Sequence, residues 1–96
     1  MKVLLSSHLK IRLKERKIPR NYPSQILARP DAQFIDTVTN HRVAVKDLKY
    51  NLKSRPMVVV YDIIGLEFQV ITIHPITNKE IGNKIKRGRW IKNEKN

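Results

Sequence analysis

The chain has 96 residues, the length of one domain, and contains no cysteine, which excludes disulfide bridges and thiolate metal sites. Lysine and arginine outnumber aspartate and glutamate by 20 to 8, giving a formal net charge of +12 at pH 7. The positive charges repel one another in the folded protein, and binding a polyanion would offset this repulsion. The phosphate backbone of a nucleic acid is the commonest polyanion. Nucleic acid, most of all RNA, is therefore the predicted partner. The alternatives are a surface charged only for solubility, a ribosomal context or the high charge content of a thermophile's protein.

The apolar runs are too short or too interrupted to direct the chain into a membrane. The run within residues 1–7 is shorter than that of a signal peptide. The longest apolar stretch, residues 57–73, is interrupted by Asp62, Glu67 and Gln69. We therefore expect no membrane span and a cytoplasmic protein.

The first predicted element is a helix over residues 7–17, which Ser6 or Ser7 can cap and Pro19 stops. Leucines at four-residue intervals form an apolar stripe: Leu5, Leu9 and Leu13. A neighbouring row with the same spacing carries a histidine and two arginines: His8, Arg12 and Arg16. We expect this row to lie toward the body of the protein, whereas the lysines at 10, 14 and 17 face solvent.

A second short helix is predicted over residues 23–29, between two prolines. Four strands follow, at 33–38, at 42–46 with a continuation to 50, at 57–63 and at 66–74. A polar loop is predicted at 51–55 and a tight turn at 64–65. The run 57–63 is continuously apolar, which is typical of a central strand covered on both faces.

The predicted fold class is α+β, with two N-terminal helices followed by a mostly antiparallel four-stranded sheet. Residues 1–91 are predicted to form a single compact domain, and residues 92–96 a disordered basic tail. The pattern over residues 77–90 is mixed and predicts no clear element.

The sequence lacks the familiar phosphate-binding, hydrolase and zinc-protease motifs, and its eight acidic residues are scattered singly. Scattered acids argue against a two-metal nuclease, so neither a metal nor a cofactor is predicted. Histidine, arginine, lysine and tyrosine remain. A metal-independent ribonuclease requires that set, because RNA supplies its own 2′-hydroxyl nucleophile and the enzyme supplies acid, base and cations.

His74 stands at the end of the last predicted strand. Strict alternation places it on the same face as Phe68 and Val70, and a tight turn would place Tyr61 on that face too. His74 could then serve as an acid or base. The alternative is a structural histidine at the rim of the strand before Pro75.

Two further histidines lie elsewhere in the chain. His8, with Arg12 and Arg16, could be an acid or base beside a phosphate clamp, or the arginines could form ion pairs at the edge of the core. His41 lies in a predicted turn and is interpreted as an ordinary surface residue.

Near the C-terminus, Arg87, Gly88, Arg89 and Trp90 bring two guanidinium groups close to the only tryptophan. Trp90 is predicted to anchor this segment on the sheet, and Arg89 to contact phosphate. The residues predicted to bind nucleic acid are Arg16, Arg42, Lys46, Arg87 and Arg89.

Four segments together resemble a known family: residues 8–19 (HLKIRLKERKIP), 57–62 (MVVVYD), 70–76 (VITIHPI) and 83–90 (NKIKRGRW). They look like small prokaryotic proteins similar in plan to BrnT and, more distantly, to RelE/ParE-type toxins. The resemblance covers residues 8–90 as a pattern of single residues. The chain departs from typical RelE proteins in lacking a C-terminal catalytic tyrosine or an Arg-Lys cluster on the last strand.

The resemblance implies a RelE-like or barnase-like ribonuclease fold. It also implies metal-independent cleavage of RNA, free or on the ribosome, with translation arrest, by a toxin that an acidic antitoxin protein encoded nearby neutralises. Together with the reasoning from the residues, it places the catalytic positions at His8, Arg12, Tyr61 and His74. The alternative function is a non-catalytic basic module that binds RNA or DNA.

Overall fold

The computed structural model describes residues 2–93, which form one six-stranded sheet and three helices. In chain order the elements are β1 (Lys2–Leu5), α1 (Ser7–Glu15), α2 (Tyr22–Ala28), β2 (Ala32–Asp36), β3 (Arg42–Tyr50), β4 (Lys53–Ile64), β5 (Glu67–Pro75), α3 (Asn78–Lys86) and β6 (Trp90–Lys92). Among these helices, none is long and apolar enough to cross a membrane. The predicted α+β class is confirmed.

The predicted counts of two helices and four strands are wrong, since the described chain also contains β1, α3 and β6. The sheet order is β1-β5-β4-β3-β2-β6, and β1 lies parallel to β5 while the other neighbours are antiparallel. The sheet is therefore mixed. The two missed strands are only four and three residues long and lie at its two edges, where a short segment shows little periodicity.

Helices cover both faces of the sheet. On one, which we call the α1/α2 face, Leu9, Leu13 and Ile26 pack against residues of β3, β4 and β5. On the other, the α3 face, Ile81 packs against a smaller cluster that includes Phe34 and Trp90. The two cores meet at the centre of β4, where Met57, Val58 and Val59 are fully buried on alternating faces, as predicted for a central strand.

Two helices begin at side chains that satisfy their first N–H groups. The hydroxyl of Ser6 accepts a hydrogen bond from the Leu9 N–H at 3.1 Å, so α1 begins at Ser7. Thr77 and Glu80 form a reciprocal capping box at the start of α3. This box fixes where α3 leaves the sheet.

A bulge in β5 reverses the faces expected from simple alternation. Val60 pairs with Thr72, but its neighbour Tyr61 pairs with Val70, so Ile71 is an extra residue without a partner on β4. Val70 and Thr72 therefore lie on opposite faces of the sheet, whereas strict alternation would place them on the same face. The prediction that His74 shares a face with Val70 is wrong, because the bulge lies between them.

The predicted loop at 51–55 is also wrong, because β3 and β4 are joined by only Asn51 and Leu52. Both have positive φ angles, 52° and 66°, as a two-residue turn between twisted antiparallel strands requires. In the predicted tail, Lys92 lies in β6 and pairs with Phe34. Residues 94–96 of that predicted tail lie outside the described residues.

Candidate active site on the α3 face of the sheet

A cleft of about 370 Å³ opens on the α3 face, between the sheet and α3. Polar side chains from the end of β2, the β2–β3 turn, β5, α3 and the turn after α3 meet there: Asp36, His41, His74, Glu80, Lys84 and Arg89. Val58, Val60 and Trp90 line its apolar wall. This cleft, which we call the α3-face cleft, thus combines two imidazoles, two cations and two carboxylates above a packed sheet.

His74 reaches this cleft because it follows the β5 bulge and pairs with Val58. Its Nδ1 lies 2.9 Å from the carbonyl oxygen of Pro75. A carbonyl oxygen can only accept, so this contact requires the proton on Nδ1 and leaves a lone pair on Nε2 of the neutral ring. No described residue forms a hydrogen bond with Nε2 of His74.

His41 enters the same cleft from the turn between β2 and β3. Its Nδ1 lies 2.8 Å from Oδ1 of Asp62, and both side chains are about one-third exposed. The carboxylate fixes the orientation of the ring, as a carboxylate commonly does beside a functional imidazole. His41 therefore also has its Nε2 without a partner among the described residues.

Arg89 is held by Asp36. Its Nε donates to Oδ1 of Asp36 at 2.8 Å, and the same oxygen accepts the backbone N–H groups of Val38 and Thr39 at 2.9 and 3.1 Å. Burial raises the pKa of Asp36, but the hydrogen bonds from Arg89, Thr39 and Val38 outweigh it and hold the pKa well below its ordinary value. Asp36 is thus a buried carboxylate that is paired on one oxygen with three donors.

The two cations that line the cleft, Lys84 and Arg89, come from α3 and from the turn that follows it. Gly88 has a φ of 72°, which lets the chain turn so that the Arg89 N–H donates to the carbonyl of Lys84 at 2.9 Å. The Nζ of Lys84 lies 5.4 Å from the centre of the Trp90 ring. Trp90 is buried and stacks on Phe34 at 5.3 Å, so the prediction that it anchors this segment is confirmed.

The sheet separates the predicted catalytic residues. His8 and Arg12 are exposed on the outer surface of α1, and Tyr61 is buried in the core of the same α1/α2 face, edge-to-face with Phe68 at 5.4 Å. Burial raises the pKa of Tyr61, against an opposing effect of Arg42. His74 lies on the opposite face, so the structure does not bring these four residues together.

The residues predicted to bind nucleic acid are likewise dispersed. Arg42 pairs with Tyr61 on the α1/α2 face, and the Lys46 amine donates to the Arg29 carbonyl at 2.9 Å. Arg16 donates from Nη1 to the Ile73 carbonyl at 3.3 Å, at the edge of β5. Only Arg87 and Arg89 lie near the α3-face cleft.

Sequence reasoning missed His41 and Asp62, although one signal could have found them. A two-residue turn at Asn51 and Leu52 pairs Tyr50 with Lys53, and counting back along both strands brings position 41 opposite position 62. The turn was hidden because leucine rarely takes a positive φ. Asp36 and Lys84 were missed because no short motif joins them to Arg89.

The chain matches no protein-family model, no curated protein and no solved structure. Within residues 2–93, no three His, Cys, Asp or Glu side chains are grouped so that they could hold a metal ion. Function is therefore inferred from the geometry of the α3-face cleft and from the resemblance described above.

Proposed function

We propose that the protein is a metal-independent endoribonuclease whose active site is the α3-face cleft. One observation carries this proposal: two histidines line the same cleft, and each has its Nδ1 held by an acceptor of the protein. Both Nε2 atoms remain for a substrate. Cleavage of RNA by its own 2′-hydroxyl requires one base and one acid, and two imidazoles supply both near neutral pH.

The different partners of the two histidines assign their roles. The Pro75 carbonyl leaves a lone pair on Nε2 of His74, which takes the proton from the 2′-hydroxyl while its oxygen bonds to phosphorus. Asp62 offsets the positive charge of His41 while that ring carries a second proton. His41 donates this proton to the 5′-oxygen as its bond to phosphorus breaks, leaving a 2′,3′-cyclic phosphate and a 5′-hydroxyl.

The cations that line the cleft fit the charge that develops on the phosphate. Arg89 uses one of its five N–H donors on Asp36 and has four left, which suits two phosphate oxygens. Lys84 adds a second positive charge in the same cleft. Donors fixed before the reaction stabilise such a transition state most effectively.

The biological setting of the proposal follows from the resemblance. Helices α1 and α2 on one face of the sheet are the arrangement that a RelE-like fold implies, and we propose that fold for the chain. We likewise propose a cytoplasmic toxin that arrests translation and is neutralised by an acidic antitoxin. A gene for a small acidic protein beside this one would support that part independently.

The test is digestion of RNA by the purified protein in EDTA, comparing wild type with His41→Ala and His74→Ala. Loss of either imidazole should slow cleavage by about 10²–10⁴-fold. His8→Ala is the matched control, because this third histidine is exposed on the opposite face and should cleave like wild type. The products should carry 2′,3′-cyclic phosphates.

Three results would contradict the proposal: cleavage that requires Mg²⁺, unchanged cleavage by both variants, or loss of cleavage in His8→Ala alone. Salt-sensitive RNA binding without any cleavage would favour the non-catalytic module instead. The dispersed positive charge on both faces of the sheet is the observation that supports this second function.

A further inference from the structure

The ion pair between Asp36 and Arg89 lies in the α3-face cleft, and the charge of Asp36 alone does not predict its effect on RNA binding. Asp36 is a carboxylate that lines a cleft proposed to bind a polyanion, and it is only 7% exposed. By charge alone, removing an acidic residue from such a site should strengthen binding of RNA. Its hydrogen bonds indicate the opposite.

The Asp36 carboxylate joins Arg89 to the β2–β3 turn. Its Oδ1 accepts from the Arg89 Nε at 2.8 Å and from the N–H groups of Val38 and Thr39, which hold the carboxylate itself in place. Thr37, which follows Asp36 in the chain, donates its N–H to the Arg89 carbonyl at 2.8 Å. The β2–β3 turn therefore holds both the backbone and the guanidinium of Arg89.

The way Asp36 holds the guanidinium decides which atoms remain for a ligand. A carboxylate bound at Nε leaves both Nη groups, with their four hydrogens, unpartnered among the described residues. These two groups form the planar fork that binds two oxygens of one phosphate. An unheld arginine side chain would lose much rotational freedom on making the same contacts.

We propose that Asp36 is a positioning residue that orients Arg89 as a two-point clamp for a phosphate of RNA in the α3-face cleft. This inference rests on the proposed function for its ligand, but not on the cleavage step. Asp36 touches no substrate and acts only through Arg89. Removing it therefore weakens RNA binding, even though the net positive charge of the protein rises.

The test is a double-mutant cycle on binding of a short 2′-O-methyl RNA oligonucleotide, which lacks the nucleophile and cannot be cleaved. Arg89→Ala should weaken binding roughly tenfold and reduce the slope of log K against log salt by about 0.7, the value for one phosphate contact on a single strand. Asp36→Ala, like Arg89→Ala, should weaken binding of the oligonucleotide. In the Arg89→Ala background, Asp36→Ala should weaken it no further.

Two variants separate positioning from charge and from folding. Asp36→Asn removes the charge but keeps an oxygen that can accept from Arg89, so it should restore most of the binding that Asp36→Ala loses. Asp47→Ala removes an exposed carboxylate elsewhere on β3 and should bind RNA at least as tightly as wild type. Circular dichroism at the assay temperature checks that each variant is folded.

Tighter binding by Asp36→Ala, or an equal loss in the Arg89→Ala background, would overturn the inference. The outcome is independent of the cleavage assay. If wild type cleaves RNA but the cycle is additive, only the positioning role fails. If the cycle shows coupling but wild type never cleaves, only the ribonuclease proposal fails.

Discussion

The two faces of the sheet carry segments of equal charge but different surroundings. Residues 7–20, which include α1, contain six basic residues and one acidic residue, and residues 78–92, which include α3 and β6, contain the same numbers. On α1 the basic side chains are exposed above a leucine-rich core. Beside α3, Lys84 and Arg89 line a cleft that also holds two histidines.

Charge alone therefore does not distinguish the two faces. The α1/α2 face buries the larger apolar cluster, and the basic side chains of α1 lie outside it, exposed to solvent. The α3 helix covers less of the sheet, and polar side chains fill the space that it leaves. A smaller core on one face thus leaves room for a polar cleft.

The largest effect that tests this comparison is on stability. Leu13→Ala removes a leucine that is 2% exposed between α1 and the sheet, and we expect it to lower the free energy of unfolding by about 2–5 kcal/mol. Urea denaturation measures this change. Molecules that remain folded should still cleave RNA at the wild-type rate, because the α3-face cleft is on the other side.

Ile11→Ala is the matched control on the same helix, since Ile11 is 59% exposed and its loss should change stability by about 0.5 kcal/mol or less. A selective loss of cleavage by folded Leu13→Ala would mean that the α1/α2 face takes part in the reaction.

The second prediction compares two arginines of equal charge. Arg89→Ala should slow cleavage about 10²-fold, the usual cost of one preorganised donor, because Arg89 lies in the cleft. Arg12→Ala should reduce it only through the weaker field of the whole protein, and added salt should abolish that difference. Rates at low substrate concentration and two salt concentrations distinguish these effects. Equal losses in the two variants would reverse the assignment of the faces.

The third prediction concerns acid. The pKa of Asp36 is lower in the folded protein than in the unfolded chain, so its stabilisation is present above the unfolded value of about 3.9 and is lost as pH falls toward the folded value. Wild type should therefore lose about 2 kcal/mol more stability than Asp36→Asn as the pH falls below about 4. Denaturant titrations across that range measure the difference, and parallel curves would contradict it.

The sequence predicted the α+β class and the burial of β4, because the apolar run through Met57, Val58 and Val59 is a strong local signal. It did not predict which face each functional side chain takes. That depends on the β5 bulge and on the turn at Asn51 and Leu52, where one residue more or less exchanges the faces. Both features result from pairing between strands and leave little trace in local composition.

Pairing between strands also explains why the sequence does not show which histidines line the α3-face cleft. The sequence neighbours of His41 are turn formers, which predicts a surface residue, and only the register of β3 with β4 brings it to Asp62. His8 lies in a row with two arginines, which predicts a functional role, but α1 is rotated so that Leu9 and Leu13 are buried and His8 is exposed. The core therefore determines the orientation of α1, and its charged row follows.

The smallest expected effect comes from removing the bulge itself. Deletion of Ile71 should be tolerated at a cost of about 1 kcal/mol or less, because Ile71 is 44% exposed and has no partner on β4. Val70 and Thr72 would become direct neighbours and would keep the opposite faces that they now occupy. His74 would therefore stay in the cleft. Cleavage close to the wild-type rate is the expected result.

Deletion of Ile73 is the matched control: it removes a buried residue and moves Thr72 into the core, so it should cost several times more stability. Loss of cleavage in a stably folded Ile71 deletion would mean that the bulge itself shapes the site, and not merely the face on which His74 lies.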